Sequence, residues 1–230
     1  NICAPNTATL TASSGTSWLW SNGATTQSIQ VANTGNHSVA VTSAAGCTSA
    51  RSAVVAVTVN PQPTVNVTAA PVTRLLPGLS TTLTANIMPA GSYSYIWLRN
   101  GITVPGATNA SIFVGLDKLG AYSVSVTNSG NCSATSASLA ITDSVSNQLF
   151  VYPNPNNGRF DVQYYTGVSD NYQLRIFDSK GAAVFSKSYA VVNGYQRMQV
   201  VMTNAAAGNY MIGLFNKAGK RIASGKVIIQ

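Results

Sequence analysis

The chain has 230 residues and 45% hydrophobic content, enough to bury one large core or two to three small ones, and it is not disordered by composition. Charged residues make up only 8%, glutamate is absent, and beside Ala the abundant types are Ser, Thr, Asn, Gly and Val; these five favour strands and turns, which argues against a mainly helical protein. The 13 basic and 5 acidic residues leave a net charge of +8, but the basic residues are scattered, whereas a nucleic-acid surface gathers them on one face with interleaved aromatics. The densest group, Lys217, Lys220 and Arg221, flanks Ala218-Gly219 and reads as a solvated hairpin turn. No run approaches the ~20 apolar residues of a membrane span. The start carries no signal-peptide pattern, and Asn1 is expected to be a cut inside a longer secreted precursor.

From the first residue, short alternating runs are broken by turn residues. Thr7–Ala12, Ser17–Trp20, Ser28–Val31, His37–Val41 and Ala53–Val59 read as strands, with Ser21-Asn22-Gly23 as a turn; this spacing predicts a β-sandwich. Asn60-Pro61-Gln62-Pro63 reads as a stiff linker.

The pattern then repeats. Leu10-Thr11-Ala12 matches Leu83-Thr84-Ala85, Trp18-Leu19-Trp20 matches Tyr95-Ile96-Trp97, and Asn22-Gly23 matches Asn100-Gly101. Gly35–Thr42 matches Gly120–Thr127, and Cys47 matches Cys132. The offset is 77 at the tryptophans (97 minus 20) and 85 at the glycines and cysteines (120 minus 35, 132 minus 47). The second copy therefore carries eight extra residues, expected in the loop after its Trp strand. This is an internal tandem repeat.

In the second copy, Asp117-Lys-Leu-Gly120-Ala-Tyr122-Ser-Val124 resembles the Asp-x-x-Gly-x-Tyr-x-Cys of an immunoglobulin F strand, with Tyr122 as the tyrosine corner and Trp97 as the strand-C tryptophan. Val124 stands where the family has its disulfide cysteine, so apolar packing replaces that bond. His37 stands where Tyr122 does. Both copies resemble the immunoglobulin-like and PKD-like repeats that precede sorting domains in Bacteroidetes surface proteins.

After a polar linker, Asp143–Gln148, seven further strands are expected: Leu149–Tyr152, Gly158–Tyr165, Tyr172–Phe177, Ala183–Tyr189, Gln196–Thr203, Asn209–Asn216 and Arg221–Ile229. Between the first two lies Tyr152-Pro153-Asn154-Pro155-Asn156-Asn157-Gly158-Arg159-Phe160. Proline fixes φ, asparagine closes turns with its own side chain, and glycine admits φ > 0, so this is a rigid, sharply turned hairpin. The fold class is thus all-β, three consecutive β-sandwiches: residues 1–60 and 64–143 as immunoglobulin-like repeats, and 147–230 as a seven-stranded C-terminal sandwich.

The same turn resembles the start of the type A C-terminal sorting domain of the type IX secretion system. The resemblance continues through Leu174-Arg175-Ile176-Phe177-Asp178 with Gly181, Ala207-Gly208-Asn209-Tyr210-Met211-Ile212 and Lys226-Val227-Ile228-Ile229-Gln230. It implies that the folded domain is recognised, after export to the periplasm, by the outer-membrane translocon and its shuttle protein. A cell-surface sortase then removes it and attaches the cargo to anionic lipopolysaccharide. The residues this assigns to recognition are Tyr152, Pro153, Asn154, Pro155, Gly158, Phe160, Gly208, Tyr210, Lys226, Val227, Ile228 and Ile229.

Catalytic apparatus is sparse. His37 is the single histidine, expected at a core or corner position with no partner placed for a triad. Asp117, Asp143, Asp161, Asp170 and Asp178 are far apart in sequence, whereas glycosidases need facing carboxylates. Asp117 and Asp178 read as turn residues. No cysteine or carboxylate spacing suits a metal. No enzyme, cofactor or nucleic-acid partner is expected.

A sugar-binding or adhesive tail is the alternative, through Trp18, Trp20, Tyr93, Tyr95 or Trp97. Residues i and i+2 share a strand face, so Trp18 goes inward with Trp20, and Tyr95 with Trp97, leaving Tyr93. One of the neighbours Tyr164 and Tyr165 is expected outward. Cys3 and Cys47 bracket the first repeat and are expected to form a disulfide; Leu76 occupies the Cys3 position in the second copy, leaving Cys132 free or intermolecular. Asp143-Ser144-Val145 resembles the short O-glycosylation motif of Bacteroidetes, which makes Ser144 a candidate acceptor in an exposed linker.

Overall fold

The structure is a computed structural model that describes residues 1–230. Its regular secondary structure is all strand apart from one 3-10 turn at Leu116–Lys118. In the first repeat the strands are β1 (Ile2–Cys3), β2 (Ala8–Thr11), β3 (Ser17–Trp20), β4 (Ser28–Val31), β5 (Gly35–His37), β6 (Val39–Thr42), β7 (Val55–Val57) and β8 (Val59–Asn60). The second holds β9 (Thr64–Ala70), β10 (Arg74–Leu75), β11 (Ser80–Met88), β12 (Tyr93–Arg99), β13 (Ile102–Thr103), β14 (Ser111–Gly115), β15 (Gly120–Asn128), β16 (Ser133–Thr135) and β17 (Leu139–Asp143). The remainder is β18 (Phe150–Tyr152), β19 (Arg159–Gln163), β20 (Tyr165–Thr166), β21 (Asp170–Phe177), β22 (Ala183–Val191), β23 (Gly194–Tyr195), β24 (Met198–Val201), β25 (Gly208–Phe215) and β26 (Arg221–Ile229).

Two compact units divide the chain. Residues 1–68, 83–112 and 121–139 form one, and residues 69–82, 113–120 and 140–230 the other.

In the first unit, β2 pairs with β4 and β3 with β6, both antiparallel. Alternation sends Ala12, Trp20, Ile29, Val31, Val39 and Val57 into one core. The repeat seen in the sequence is repeated in the hydrogen bonds. The Trp20 indole N–H donates to the Thr26 carbonyl, and the Trp97 indole N–H to that of Asn109. The Ser52 hydroxyl accepts the Val39 amide and donates to the Ala53 carbonyl; Ser136 does the same between Val124 and Ala137. These bonds also correct the expected insertion. The offset at the indole acceptors is 83 (109 minus 26). Six of the eight extra residues therefore lie in the loop after the Trp strand, where β13 forms. The other two fall just before β15, beside the 3-10 turn.

The expected Cys3–Cys47 disulfide does not form. Cys3 is bonded to Cys132, with the Cα atoms 5.6 Å apart, and Cys47 is free and exposed. Strand direction is the reason. β1 runs parallel to β8, which sets Cys3 beside Asn60 at the end of the first repeat. The turn that carries Cys132 packs on that same stretch: Asn128 donates to the Pro61 carbonyl, and Gln62 to that of Ser133. Cys47 lies in the equivalent turn of the first repeat, with its amide on the Ser43 hydroxyl, as the Cys132 amide is on the Asn128 side chain.

In the second unit, β22, β21, β25 and β26 form one antiparallel sheet in that order, and β18, β19 and β24 another. Phe160, Val162, Leu174, Ile176, Met198, Val200, Ile212, Leu214, Val227 and Ile229 fill the space between them. All seven expected strands are present, and two short ones, β20 and β23, pair with each other. The break between β19 and β20 falls at Tyr164, so neither tyrosine turns fully outward: Tyr164 packs on the core and Tyr165 meets the Tyr195 ring edge-on.

Candidate functional site

The site begins with a hairpin that local chemistry fixes. β18 and β19 pair antiparallel, Tyr152 opposite Asp161. Between them, Asn156 closes the turn on itself: its side-chain amide donates to the Pro153 carbonyl at 3.1 Å and its side-chain oxygen accepts the Gly158 amide at 2.8 Å. Gly158 has φ +87°, and a Cβ there would collide with the Met202 carbonyl; only glycine meets both demands. That close approach lets the Met202 amide reach the Gly158 carbonyl at 2.7 Å. Phe160 then enters the core.

The structure brings the three separated stretches together. β26 is the edge strand of its sheet, paired on its inner side with β25: Gly208 opposite Ile229, Tyr210 opposite Val227. An unprotected edge invites foreign strands. Here the outer edge is taken by the proline–asparagine turn. Asn154 donates its side-chain amide to the Lys226 carbonyl at 3.1 Å and accepts the Ile228 amide at 2.9 Å. One asparagine side chain thus stands in for a backbone amide of a neighbouring strand. Asn156 continues the seam: its amide donates to the Ile228 carbonyl, and its carbonyl accepts the Gln230 amide.

Side chains divide into two groups. Val227 and Ile229 are buried, as are Phe160 and Tyr210, whose hydroxyl donates to the Ala206 carbonyl at 2.7 Å. Tyr152, at 77% exposure, stands out, and Pro153, Asn154, Pro155, Gly208 and Lys226 are exposed with it, while Ile228 is half-buried. The stitching role of Asn154 is invisible in the sequence, because nothing local announces bonds to partners 72 and 74 positions away. Asp178 is the turn residue it was expected to be, its carboxylate accepting the Lys180 and Ala182 amides at 2.9 Å.

Elsewhere in this unit, Ser144 is half-buried. Its amide bonds the Leu75 carbonyl and its carbonyl accepts the Tyr195 hydroxyl, so the stretch expected as an exposed linker is held at its backbone. Burial raises the Tyr189 phenol above its usual range, and the Asp161 carboxylate adds to the shift.

The candidate aromatics of the first unit turn inward. The Trp18 and Trp20 indoles donate to the Ser13 and Thr26 carbonyls, Trp97 is fully buried, and the Tyr93 hydroxyl donates to the Pro89 carbonyl. His37 is half-buried, and both its ring nitrogens are buried without a hydrogen-bond partner. It lines a cleft of about 830 Å³ in the first repeat, with Trp20 and the free Cys47.

Residues 150–230 match the family model described as the secretion system C-terminal sorting domain. That stretch is a type IX sorting domain; such domains mark proteins exported to the cell surface or secreted, through interaction with the type IX machinery. No curated protein matches the chain. Among solved structures, the titin I-band fragment I67–I69 aligns over 100% of this chain and 93% of its own, at 12% identity and a TM-score of 0.40. Dimeric latent PorU from Porphyromonas gingivalis aligns over 89% of this chain and 25% of its own, at 14% identity and a TM-score of 0.30. The glucan-utilization protein SGBP-B of Bacteroides ovatus, solved with a mixed-linkage heptasaccharide, aligns over 100% and 65%, at 14% identity and a TM-score of 0.27. No helix is long and apolar enough to cross a membrane.

Proposed function

With residues 150–230 a type IX sorting domain, we propose that its recognition face is the seam where the Tyr152–Phe160 turn is stitched to Lys226–Gln230. The observation that carries this reading is the pair of Asn154 bonds to the Lys226 carbonyl and the Ile228 amide. They hold Tyr152, Pro153, Pro155 and Lys226 on one rigid, solvent-facing surface, while Phe160, Tyr210, Val227 and Ile229 shape it from beneath. A docking surface gains affinity from such preorganisation, because little is left to order on binding. The partners this face suits are the outer-membrane translocon and its shuttle protein. A cell-surface sortase and anionic lipopolysaccharide follow in the proposed sequence. Ser144 is retained as a candidate glycosylation site.

We read residues 1–60 and 64–143 as non-catalytic immunoglobulin-like spacer modules. The inward aromatics support this over an adhesive, carbohydrate-binding tail. A glycan array with the full chain checks it: the spacer reading expects no specific hit.

Fusing residues 147–230 to a passenger with a signal peptide should send it across the outer membrane of a type IX-competent host. Deleting Lys226–Gln230 should leave it in the periplasm. Asn154→Ala should reduce export while circular dichroism stays that of a folded sandwich, because it cuts the seam and leaves the core. Full export of both variants places the signal elsewhere.

A further inference from the structure

The two repeats differ at one edge. In the second, β11 lies between β14 and β9; Asn86 donates to the Thr68 hydroxyl, and the Thr64 hydroxyl to the Met88 carbonyl. In the first, the equivalent sheet has only β2 and β4. The equivalence is fixed by matching bonds: the Ala12 amide to the Gln27 carbonyl, the Ala85 amide to that of Ala110. Since amides alternate sides along a strand, Ala12 and Leu10 face β4, and Thr9 and Thr11 face the open edge. That edge forms one wall of the 830 Å³ cleft, which is lined by Thr9–Ser14 on this side and by residues 47–55 on the other.

Burial follows the same difference. Leu83 and Val126 are fully buried, while their counterparts Leu10 and Val41 are half-buried. Tyr122 is buried, and its half-buried counterpart His37 lines the cleft with both ring nitrogens buried and unpartnered. Nothing else in the first repeat takes the place that β9 takes in the second.

We infer that this cleft is a strand-acceptor groove, and that its occupant is an extended polypeptide segment from outside residues 1–230, laid along the open edge of β2. The chemistry of the occupant can be read from β9, Thr-Val-Asn-Val-Thr-Ala-Ala. Val65, Val67 and Ala69 are its more buried residues, in strict alternation with exposed ones. The segment is therefore short, uncharged and alternates small aliphatic with polar residues. Its backbone would pair with Thr9 and Thr11, and its aliphatic face would cover Leu10 and Val41. Main-chain bonds supply affinity in such strand addition, and alternate side chains supply selectivity.

The repeat offset prescribes the test. Leu83 matches Leu10 and Leu76 matches Cys3, an offset of 73 (83 minus 10, 76 minus 3). The sequence of Thr64–Thr73 joined directly ahead of Asn1 in the full chain should therefore lay a strand in the groove. Hydrogen exchange of the Thr9 and Thr11 amides should slow at least ~10-fold, and a fluorophore on Cys47, the free thiol in the groove wall, should shift its emission. Replacing the two valines of the grafted segment that correspond to Val65 and Val67 by aspartate should cancel both effects. As a second arm, the free Thr64–Ala70 peptide at millimolar concentration should slow exchange at the same amides in the ungrafted chain, and should not act on the grafted one. Unchanged Thr9 and Thr11 exchange in both arms overturns the inference. So does protection of these amides by a β-glucan oligosaccharide, which would make the cleft a sugar site. A concentration-dependent dimer of the ungrafted chain that protects them would make the occupant a second copy, and also overturns it.

Discussion

In the second repeat, β9 lies along β11, Leu83, Trp97, Val124 and Val126 are sealed from water, and the turn of Cys132 is bolted to Cys3. In the first repeat, the same pattern of strands and turns leaves Leu10 and Val41 half-open, His37 without partners, and Cys47 unpaired in the wall of a cleft. The local instructions are equivalent: the tryptophan bonds, the serine bonds and the strand pairings recur. What differs is closure of the sandwich edge. An edge strand contributes little sequence-specific chemistry, yet it decides whether its neighbours' apolar area is removed from water, at roughly 25 cal/mol per Å². The sorting domain closes its own edge by a third route, with the side chain of Asn154 in place of a strand.

Paired substitutions measure that difference, and the tryptophans should give the largest. Trp97→Ala removes a fully buried indole and should cost roughly 3–5 kcal/mol in urea unfolding. Trp20→Ala should cost at least ~1 kcal/mol less, because Trp20 already borders an open cleft, into which water can follow the deletion. Equal costs would mean that the first repeat is as well sealed as the second.

The disulfide comes next. Cys3 and Cys132 are 129 positions apart, so a Cys3→Ser, Cys132→Ser double variant should lose on the order of 2–4 kcal/mol through the freedom returned to its unfolded chain. Cys47→Ser should change stability by less than about 0.5 kcal/mol, as befits an exposed thiol. Non-reducing peptide mapping that joins Cys47 to either partner would reverse the assignment.

The strands, the tandem repeat and the sorting domain were legible because each rests on local patterns: alternation, turn residues and a fixed offset. Trp18, Trp20, Tyr95 and Trp97 were placed inward by the period of two alone, and the structure puts them there. The disulfide was not legible. Cys47 and Cys132 occupy the same place in their repeats, so a choice between them needs the direction in which β1 runs beside β8 and the packing of one turn on Asn60–Gln62. The seam of the sorting domain escaped for a related reason. The turn was read as rigid from its prolines and asparagines, but the partners of Asn154 are set by where β26 ends up. Tyr164 and Tyr165 are both half-buried because the strand breaks at Tyr164, and alternation along a continuous strand does not reveal such a break.

The smallest paired effect is also the most discriminating. Ser52 and Ser136 make the same two bonds, each hydroxyl accepting a strand amide and donating to the next carbonyl. Geometry is therefore held constant between them, and only access to water differs: Ser136 is buried and Ser52 exposed. Ser136→Ala strands the Val124 amide in the interior, where an unsatisfied donor costs about 1–3 kcal/mol. Ser52→Ala lets water take the Val39 amide, and the loss should stay below about 0.5 kcal/mol. Urea titrations of the two variants side by side provide the measurement. Joining the Thr64–Thr73 sequence ahead of Asn1 should then raise the cost of Ser52→Ala toward that of Ser136→Ala, if the added strand shuts water out of the first repeat. A large Ser52→Ala loss without that strand would show that water does not reach this edge, and that the cleft is closed in solution.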